Sequence, residues 1–229
     1  MNFSQIDALE NGIMDEHKLE LEKTVRKMSN AEFKRMLLQR KWTSYSFTPL
    51  YDFGIDGMQN EKAKIILRSI RNDEYPSGGP SHREDLVHDL KIIGMDIEEI
   101  MNTQPSKHTE KTIKSQFDFL RFNEEQEMHD IKAVTFLRFA LEILVSVEYS
   151  VFVRRLEDFG LNRRNSRFYW PHFLHDMKQR PLGHRGETHS DMLSEQLASM
   201  LDTLKKAAAC GHYTQKSYDL RANFFRQKF

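Results

Sequence analysis

The chain has 229 residues, enough for one sizeable domain, and no Pro/Gly/Ser-rich linker divides it into two parts. Lysine plus arginine equals aspartate plus glutamate at 34 each, and this balance argues against a nucleic-acid partner. The only cysteine, Cys210, excludes an internal disulfide and a thiolate-rich zinc or iron–sulfur site. We therefore expect residues 1–229 to form a single domain.

The expected setting is the reducing cytoplasm, since a lone cysteine fits a compartment without disulfides. The N-terminal stretch "MNFSQIDALENGIMDEHK" has early acidic residues and lacks the apolar centre of a signal peptide. No apolar run approaches the roughly 18 residues that a membrane-spanning helix needs, so we expect no membrane contact.

Apolar residues recur at intervals of three and four, and only six prolines and ten glycines interrupt them. This pattern predicts an all-α fold of about seven helices. The first long helix is expected to follow a cap at Ser29 or Asn30 and to loosen near Pro49. The next, "NEKAKIILRSIRNDEY", ends at the break "PSGGPS".

Further helices follow in order. Ser81 and Glu84 have the spacing of a capping box, and "HREDLVHDLKIIGMD" is expected to stop at Gly94. Another helix should begin at about Pro105, and the longest periodic segment ends at Gly160. "SRFYWPHFLHDMK" and "SDMLSEQLASMLDTLKKAAACG" predict the last helices, separated by the histidine-rich loop "QRPLGHRGETH".

Glu142 is the residue that fits a purely structural role least well. It lies in "FLRFALEILVSV", where its helix is apolar on nearly every side. Burying an ionised carboxylate without a partner costs several kcal/mol, so such groups are paired with a cation, neutralised or bound to a metal. A buried salt bridge to Arg121 or Arg138 and a metal site are both open alternatives.

Two histidines and an aspartate share one helical face in "PHFLHDMKQ". At about 100° per residue, Asp176 lies roughly 40° and His175 roughly 60° around the axis from His172. Imidazole nitrogen with carboxylate oxygen suits Fe or Mn, and also Zn. An ordinary solvent-facing His–Asp pair has the same spacing, so the pattern alone leaves both interpretations open.

A third group flanks the glycine-rich break. Glu74 closes one helix and His82 opens the next, so their side chains can converge across the break. Taken singly, each is more simply a surface residue. Together, three separate segments that each offer a carboxylate, a histidine or both favour a metal site.

These motifs resemble the heme-oxygenase-like diiron oxidases, a branch of the helical fold shared with heme oxygenase, thiaminase-like proteins and the PQQ-synthesis protein. Members carry "DEYG", then "SHPELF...L..LGLD", then "ALE", then "GL......FF..H...D..H". This chain reads "NDEYPSGGPSHREDLVHDLKIIGMD", "FALEILVSVEY" and "FGLNRRNSRFYWPHFLHDMKQ". The resemblance covers residues 31–179 approximately and implies a single-domain helical bundle with the metal-site core in that range.

The resemblance also implies a ligand set, carried over by position: Glu74, His82, Glu142, His172 and Asp176. Glu148 is a rival to Glu142 if a two-turn deletion is allowed. The family's final histidine falls on Gln179. An incomplete set with a weak second metal position is the favoured explanation, while His184 or His189 could fold back from the loop, or His175 could substitute.

The implied cofactor is a pair of iron ions that react as Fe(II) with O2, and an external electron donor could take part. The implied reaction oxidises or fragments a small substrate in a biosynthetic pathway, by N-oxygenation or by C–C or C–N cleavage to an alkene or a nitrile. We expect an amino-acid-derived substrate, held by Arg40, Trp42, Tyr45 and Tyr169, although core packing also explains such aromatic residues. A homodimer would follow the habit of the fold.

Two other functions stay open. A metal-independent, thiaminase-like enzyme of the same fold would need a reactive cysteine or an organic acid–base pair, and Cys210 is poorly placed near the C-terminus. A non-catalytic helical interaction protein would explain the charged surface and the methionines. It would not explain why Glu142 is buried.

Overall fold

Twelve α-helices build the part of the chain that the computed structural model describes, residues 1–73 and 80–229, and this part has no β-strand. The all-α prediction is confirmed, while the number of helices exceeds the seven expected. In chain order the helices are α1 (Phe3–Lys27), α2 (Asn30–Tyr45), α3 (Phe47–Gly57), α4 (Glu61–Asp73), α5 (His82–Ile92), α6 (Ile97–Asn102), α7 (Lys107–Leu120), α8 (Gln126–Phe136), α9 (Leu144–Leu156), α10 (Tyr169–His175), α11 (His189–Met200) and α12 (Leu204–Ala222).

Five helices of the described part exceed the expected number. Two of them, α1 and α6, lie in segments where no helix was expected, and the longest expected helix is divided into α8 and α9. Another expected helix breaks at Ser46, so that Pro49, near which loosening was expected, lies in the first turn of α3, where its missing N–H costs little. The last breaks after Met200, where Thr203 in an extended conformation caps the new helix α12 with its side chain, and the hydrophobic pattern did not mark this break.

Several predicted helix ends are confirmed. Ser29 and Ser81 each form a capping box, with Glu32 and Glu84 respectively. Gly94 follows α5 with φ of 76°, a backbone region that favours glycine.

A central rod runs from α8 to α9 through a π-helical segment, Leu137–Ile143, which contains Glu142. The backbone N–H of Leu144 donates to the carbonyl of Phe139, the five-residue spacing of a π-helix. Every residue of this segment is buried. Such segments interrupt α-helices frequently at functional sites.

The other helices pack around this rod and bring the candidate site together. α10 packs on α9, α11 packs on α4 and on the π segment, and α1 packs on α9 and α12. In the described ranges, no helix combines the length and the apolar character needed to cross a membrane.

Candidate metal centre

Glu142 is 1% exposed, and its two carboxylate oxygens have different neighbours. Oε1 accepts a short hydrogen bond from the Tyr51 hydroxyl of α3, and Oε2 lies 3.5 Å from Nδ1 of His189 at the start of α11. The two arginines expected as alternative partners are engaged elsewhere: Arg138 pairs with Glu10, and Arg121 with Asp118. The salt-bridge interpretation of Glu142 is therefore wrong for both arginines.

Three buried side chains from different elements converge at Glu142. One ligand atom each from Glu142, Asp176 and His189 lies within 4.8 Å of the other two. His189 Nδ1 is 3.8 Å from Asp176 Oδ1. A single ion with metal–ligand bonds of about 2.1 Å could collect these three donors after small side-chain movements.

A second group of three adjoins the first and shares His189. Asp73, at the end of α4, has its Oδ2 3.1 Å from Nε2 of His189. The ring centroids of His175 and His189 are 3.9 Å apart, and the ligand atoms of Asp73, His175 and His189 also lie within 4.8 Å of one another. His189 thus has one nitrogen directed at each group.

His82 and His172 form a further pair of candidate donors. Nε2 of His172 lies 3.2 Å from Nδ1 of His82, and Nδ1 of His172 donates to the Phe168 carbonyl over 2.7 Å. Because a carbonyl can only accept, Nε2 of a neutral His172 carries no proton, and it is the form of imidazole that binds metals. Burial, with the charge of His82, lowers the pKa of His172 well below its ordinary value.

The surroundings of His175 and His189 shift the pKa values of these two histidines in opposite directions. Burial and the charge of His189 lower the pKa of His175. Burial also disfavours the charged form of His189, but Glu142 and Asp73 outweigh it and raise the pKa of His189.

A buried carboxylate on α5 holds the start of α10 in place. Asp89 is fully buried and accepts hydrogen bonds from the Ser166 hydroxyl and from the backbone N–H groups of Arg167, Phe168 and Tyr169. These four bonds fix the segment from which His172 projects, one helical turn further on.

The remaining predicted ligands are distributed unevenly. Glu74 lies outside the described residues. Gln179 and His184 are exposed, and the backbone N–H of Gln179 donates to Asp191. Of the alternatives for the missing histidine, the structure brings His189, together with the partly exposed His175, to the cluster.

Glu148, the rival to Glu142, lies in a different environment. Its carboxylate accepts hydrogen bonds from Arg40 at 3.0 Å and from Arg221 at 2.5 and 2.6 Å. Burial opposes its ionisation, but these guanidinium groups outweigh burial and hold the pKa of Glu148 far below its ordinary value. Its oxygens are thus committed to arginine rather than directed at the histidines.

A pocket opens beside the His82–His172 pair. Its volume is about 500 Å³, counted up to a mouth that is open to solvent. Arg40 and Tyr45, two of the four predicted substrate contacts, line this pocket. Trp42 and Tyr169 are not among its lining residues: the Trp42 indole donates to the Thr103 carbonyl, and Tyr169 packs edge-on against Tyr149.

Four residues of this region were missed from the sequence: Tyr51, Asp73, Asp89 and Arg221. Asp73 directly precedes Glu74 and shares its motif, so proximity to that motif could have identified it. Asp89 likewise lies on α5 with His82, within a quoted motif. Tyr51 and Arg221 reach the site from other segments, and no local pattern marks them.

Comparison with known proteins bears on the fold alone. No family model and no curated protein matches the chain. A solved structure titled as a TenA family transcription regulator, from Silicibacter sp. TM1040, is similar with a TM-score of 0.62 and 9% sequence identity. The match covers 98% of this chain and 94% of that one. It shows a TenA-like fold, which is heme-oxygenase-like, and leaves the activity open.

Proposed function

We propose that the chain is an O2-dependent oxidase that holds two iron ions in the cluster around Glu142 and acts on a small substrate in the adjoining pocket. The observation that carries this proposal is the convergence of Glu142, Asp176 and His189 in a buried place. A buried carboxylate needs a compensating positive charge, and among the described residues the only ion-pairing group near Glu142 is His189.

The donor set fits iron. Carboxylate oxygens and neutral imidazole nitrogens are the mixture that non-heme iron sites use, and the fold places them on facing helices of a bundle. When bound, iron would supply the activation of O2. An external electron donor could return the irons to the ferrous state.

This chain's own residues would perform the remaining tasks. Tyr51 donates to Glu142 and fixes the orientation of its carboxylate. Phe168, through its carbonyl, fixes the tautomer of His172. Apolar walls that include Leu86, Leu141 and Val145 would exclude water and hold the substrate body beside the cluster.

The test is anaerobic addition of Fe(II) to metal-free protein, followed by exposure to O2, with absorption and Mössbauer spectra recorded. The wild type should take up two irons and change its spectrum with O2. Glu142→Ala and His172→Ala should lose iron, and His184→Ala should retain it, because His184 is exposed and outside the cluster. Iron uptake that is absent, or undiminished in the first two variants, would remove the proposal.

A metal-independent enzyme like the thiaminases is the second candidate, and the TenA-like fold favours it. Cys210 does not supply its nucleophile: the thiol is fully buried, and burial raises its pKa to about 11, so almost no thiolate exists at neutral pH. Such an enzyme would need the Tyr51–Glu142 pair as its acid and base. Turnover that survives complete removal of metal by a chelator would favour this candidate.

A further inference from the structure

One wall of the pocket that His82 and His172 line contains a buried surplus of positive charge. Arg40 on α2 and Arg221 on α12 are both 3% exposed, line the pocket and share one carboxylate, that of Glu148. His17 lies 3.7 Å from the same carboxylate and adds no negative charge. Two guanidinium groups against one carboxylate leave one positive charge in excess.

The two arginines also have hydrogen-bond donors to spare. Arg40 uses Nε on Glu148 and Nη1 on the hydroxyls of Thr43 and Ser44, and Arg221 uses Nε and Nη2 on Glu148. No hydrogen bond within the described residues uses Nη2 of Arg40 or Nη1 of Arg221. A guanidinium offers five N–H donors in a planar fork, so each arginine can still bind an oxyanion.

The Tyr149 ring lies close to both Arg40 and His172. The Arg40 guanidinium carbon lies 5.3 Å from the Tyr149 ring centroid, and the His172 ring centroid lies 6.1 Å from it on the edge. Phe47 and Phe168 are apolar lining residues of the same pocket. Because Arg40, Arg221, His82 and His172 line one pocket, a single ligand there can contact both the arginines and the histidines.

We propose that Arg40 and Arg221 form the anion subsite of the substrate, which is a small monocarboxylate with a compact apolar body. Its carboxylate would pair with the surplus charge, and the opposite end would face His82 and His172. The orientation relative to iron rests on the proposed function, whereas the anion subsite does not. Oxidation would then occur at the end away from the carboxylate.

The experiment measures binding to metal-free protein by calorimetry, using benzoate, 3-phenylpropanoate and hexanoate, each compared with its uncharged amide. At least one carboxylate should bind about tenfold or more tightly than its amide, which is the effect of one charge-assisted hydrogen-bonded pair. Arg40→Gln and Arg221→Gln should each abolish most of this preference. Arg154→Gln removes the same charge from an exposed pair with Glu22 and should leave it intact.

Glu148→Gln tests the same anion subsite if the arginine variants fail to fold. This variant leaves two buried guanidinium groups without their carboxylate, so the carboxylate ligand should bind more tightly and raise the melting temperature more than in the wild type. Equal binding of acid and amide, no binding of any of the three acids, or a Glu148→Gln variant that gains nothing from them would overturn the anion subsite. Carboxylate binding without iron uptake would instead contradict only the proposed oxidase.

Discussion

Two buried glutamates of the central rod have opposite environments. Glu148 is held by two arginines, with more positive charge than it needs. The carboxylate of Glu142 instead accepts from the Tyr51 hydroxyl and lies beside the His189 ring. A carboxylate that is buried without a permanent cation, beside further histidine and carboxylate groups, is suited to a metal ion.

Tyr51→Phe tests the role assigned to the phenol. Removing the hydroxyl deletes the hydrogen bond that orients Glu142, and the loss of such outer partners typically weakens metal affinity by about 10- to 100-fold. The dissociation constant of Fe(II), measured anaerobically, should rise accordingly. Tyr213→Phe removes a phenol that donates to Glu124, at a distance from the cluster, and should leave the constant unchanged.

The sequence revealed the anomaly of Glu142 and offered Asp176 and His189 as candidate ligands, but it did not reveal Tyr51 as a partner. An acid in an otherwise apolar helix can be recognised from the sequence alone, because only the residues next to it in the chain are needed. The choice of Tyr51 over Arg138 depends on which helix faces it, and Arg138 proves to be required by Glu10 of α1. Arg221 was missed for the same reason, since nothing near it in sequence hints at Glu148.

At the scale of elements, the site depends on two departures from regular helix. The π segment Leu137–Ile143 changes the register of the rod at Glu142 and sends its side chain toward α3 and α11. The loop after α10 then returns to start α11 with His189 as its first residue. Neither feature follows from hydrophobic periodicity, which predicted one continuous helix across the π segment.

Thr188→Ala tests whether the start of α11 serves the metal centre. Thr188 is the buried cap of α11, and its side chain accepts from the Asp191 N–H over 3.2 Å. Loss of the cap should cost about 1 kcal/mol of unfolding free energy and also weaken Fe(II) binding, because His189 lies in the turn that frays.

Thr203→Ala provides the matched control. Thr203 caps α12 in the same way, accepting from the Lys206 N–H over 3.2 Å, and α12 supplies none of the cluster's donors. Chemical denaturation should show a loss of stability in both variants, larger for the buried Thr188, which also bonds the Ser190 hydroxyl, than for the exposed Thr203. Iron affinity that falls equally in both would argue against a specific role for the α11 turn.

Over the whole molecule, buried ion pairs join segments that are distant in the chain. Glu10 of α1 accepts from Arg138 in the π segment and from Lys178 after α10. Glu148 of α9 joins α2 to α12 through its two arginines. Burial opposes ionisation of both glutamates, but their cationic partners outweigh it and lower the pKa of each.

These pairs predict acid sensitivity. Because the folded-state pKa of both glutamates lies below the ordinary value of 4.5, their stabilisation is fully present above that value and is lost as pH falls below it. Urea denaturation at a series of pH values should show unfolding free energy falling steeply between pH 5 and pH 3. Breaking one such pair costs about 3–5 kcal/mol, and stability that stays flat over this interval would contradict the assignment.

The fold itself could be predicted far better than its details. Helical periodicity and the scarcity of proline and glycine were sufficient for an all-α fold, and a likeness at 9% identity bears it out. The break after Met200 escaped because the side chain of Thr203, rather than glycine or proline, caps the helix there, and the break at Ser46 lies three residues before Pro49, where loosening was expected. Sequence motifs pointed to His82, Glu142, His172 and Asp176. Tyr51 and Arg221 could be identified only once packing had brought them to the site.

Diffraction is the most direct test of whether Glu142, Asp176 and His189 hold iron. Crystals grown anaerobically with Fe(II) would be measured on both sides of the iron absorption edge. We expect two anomalous peaks, one of them within bonding distance of Glu142, Asp176 and His189. An absence of peaks at this cluster, in crystals that diffract well and were soaked with excess iron, would contradict this expectation.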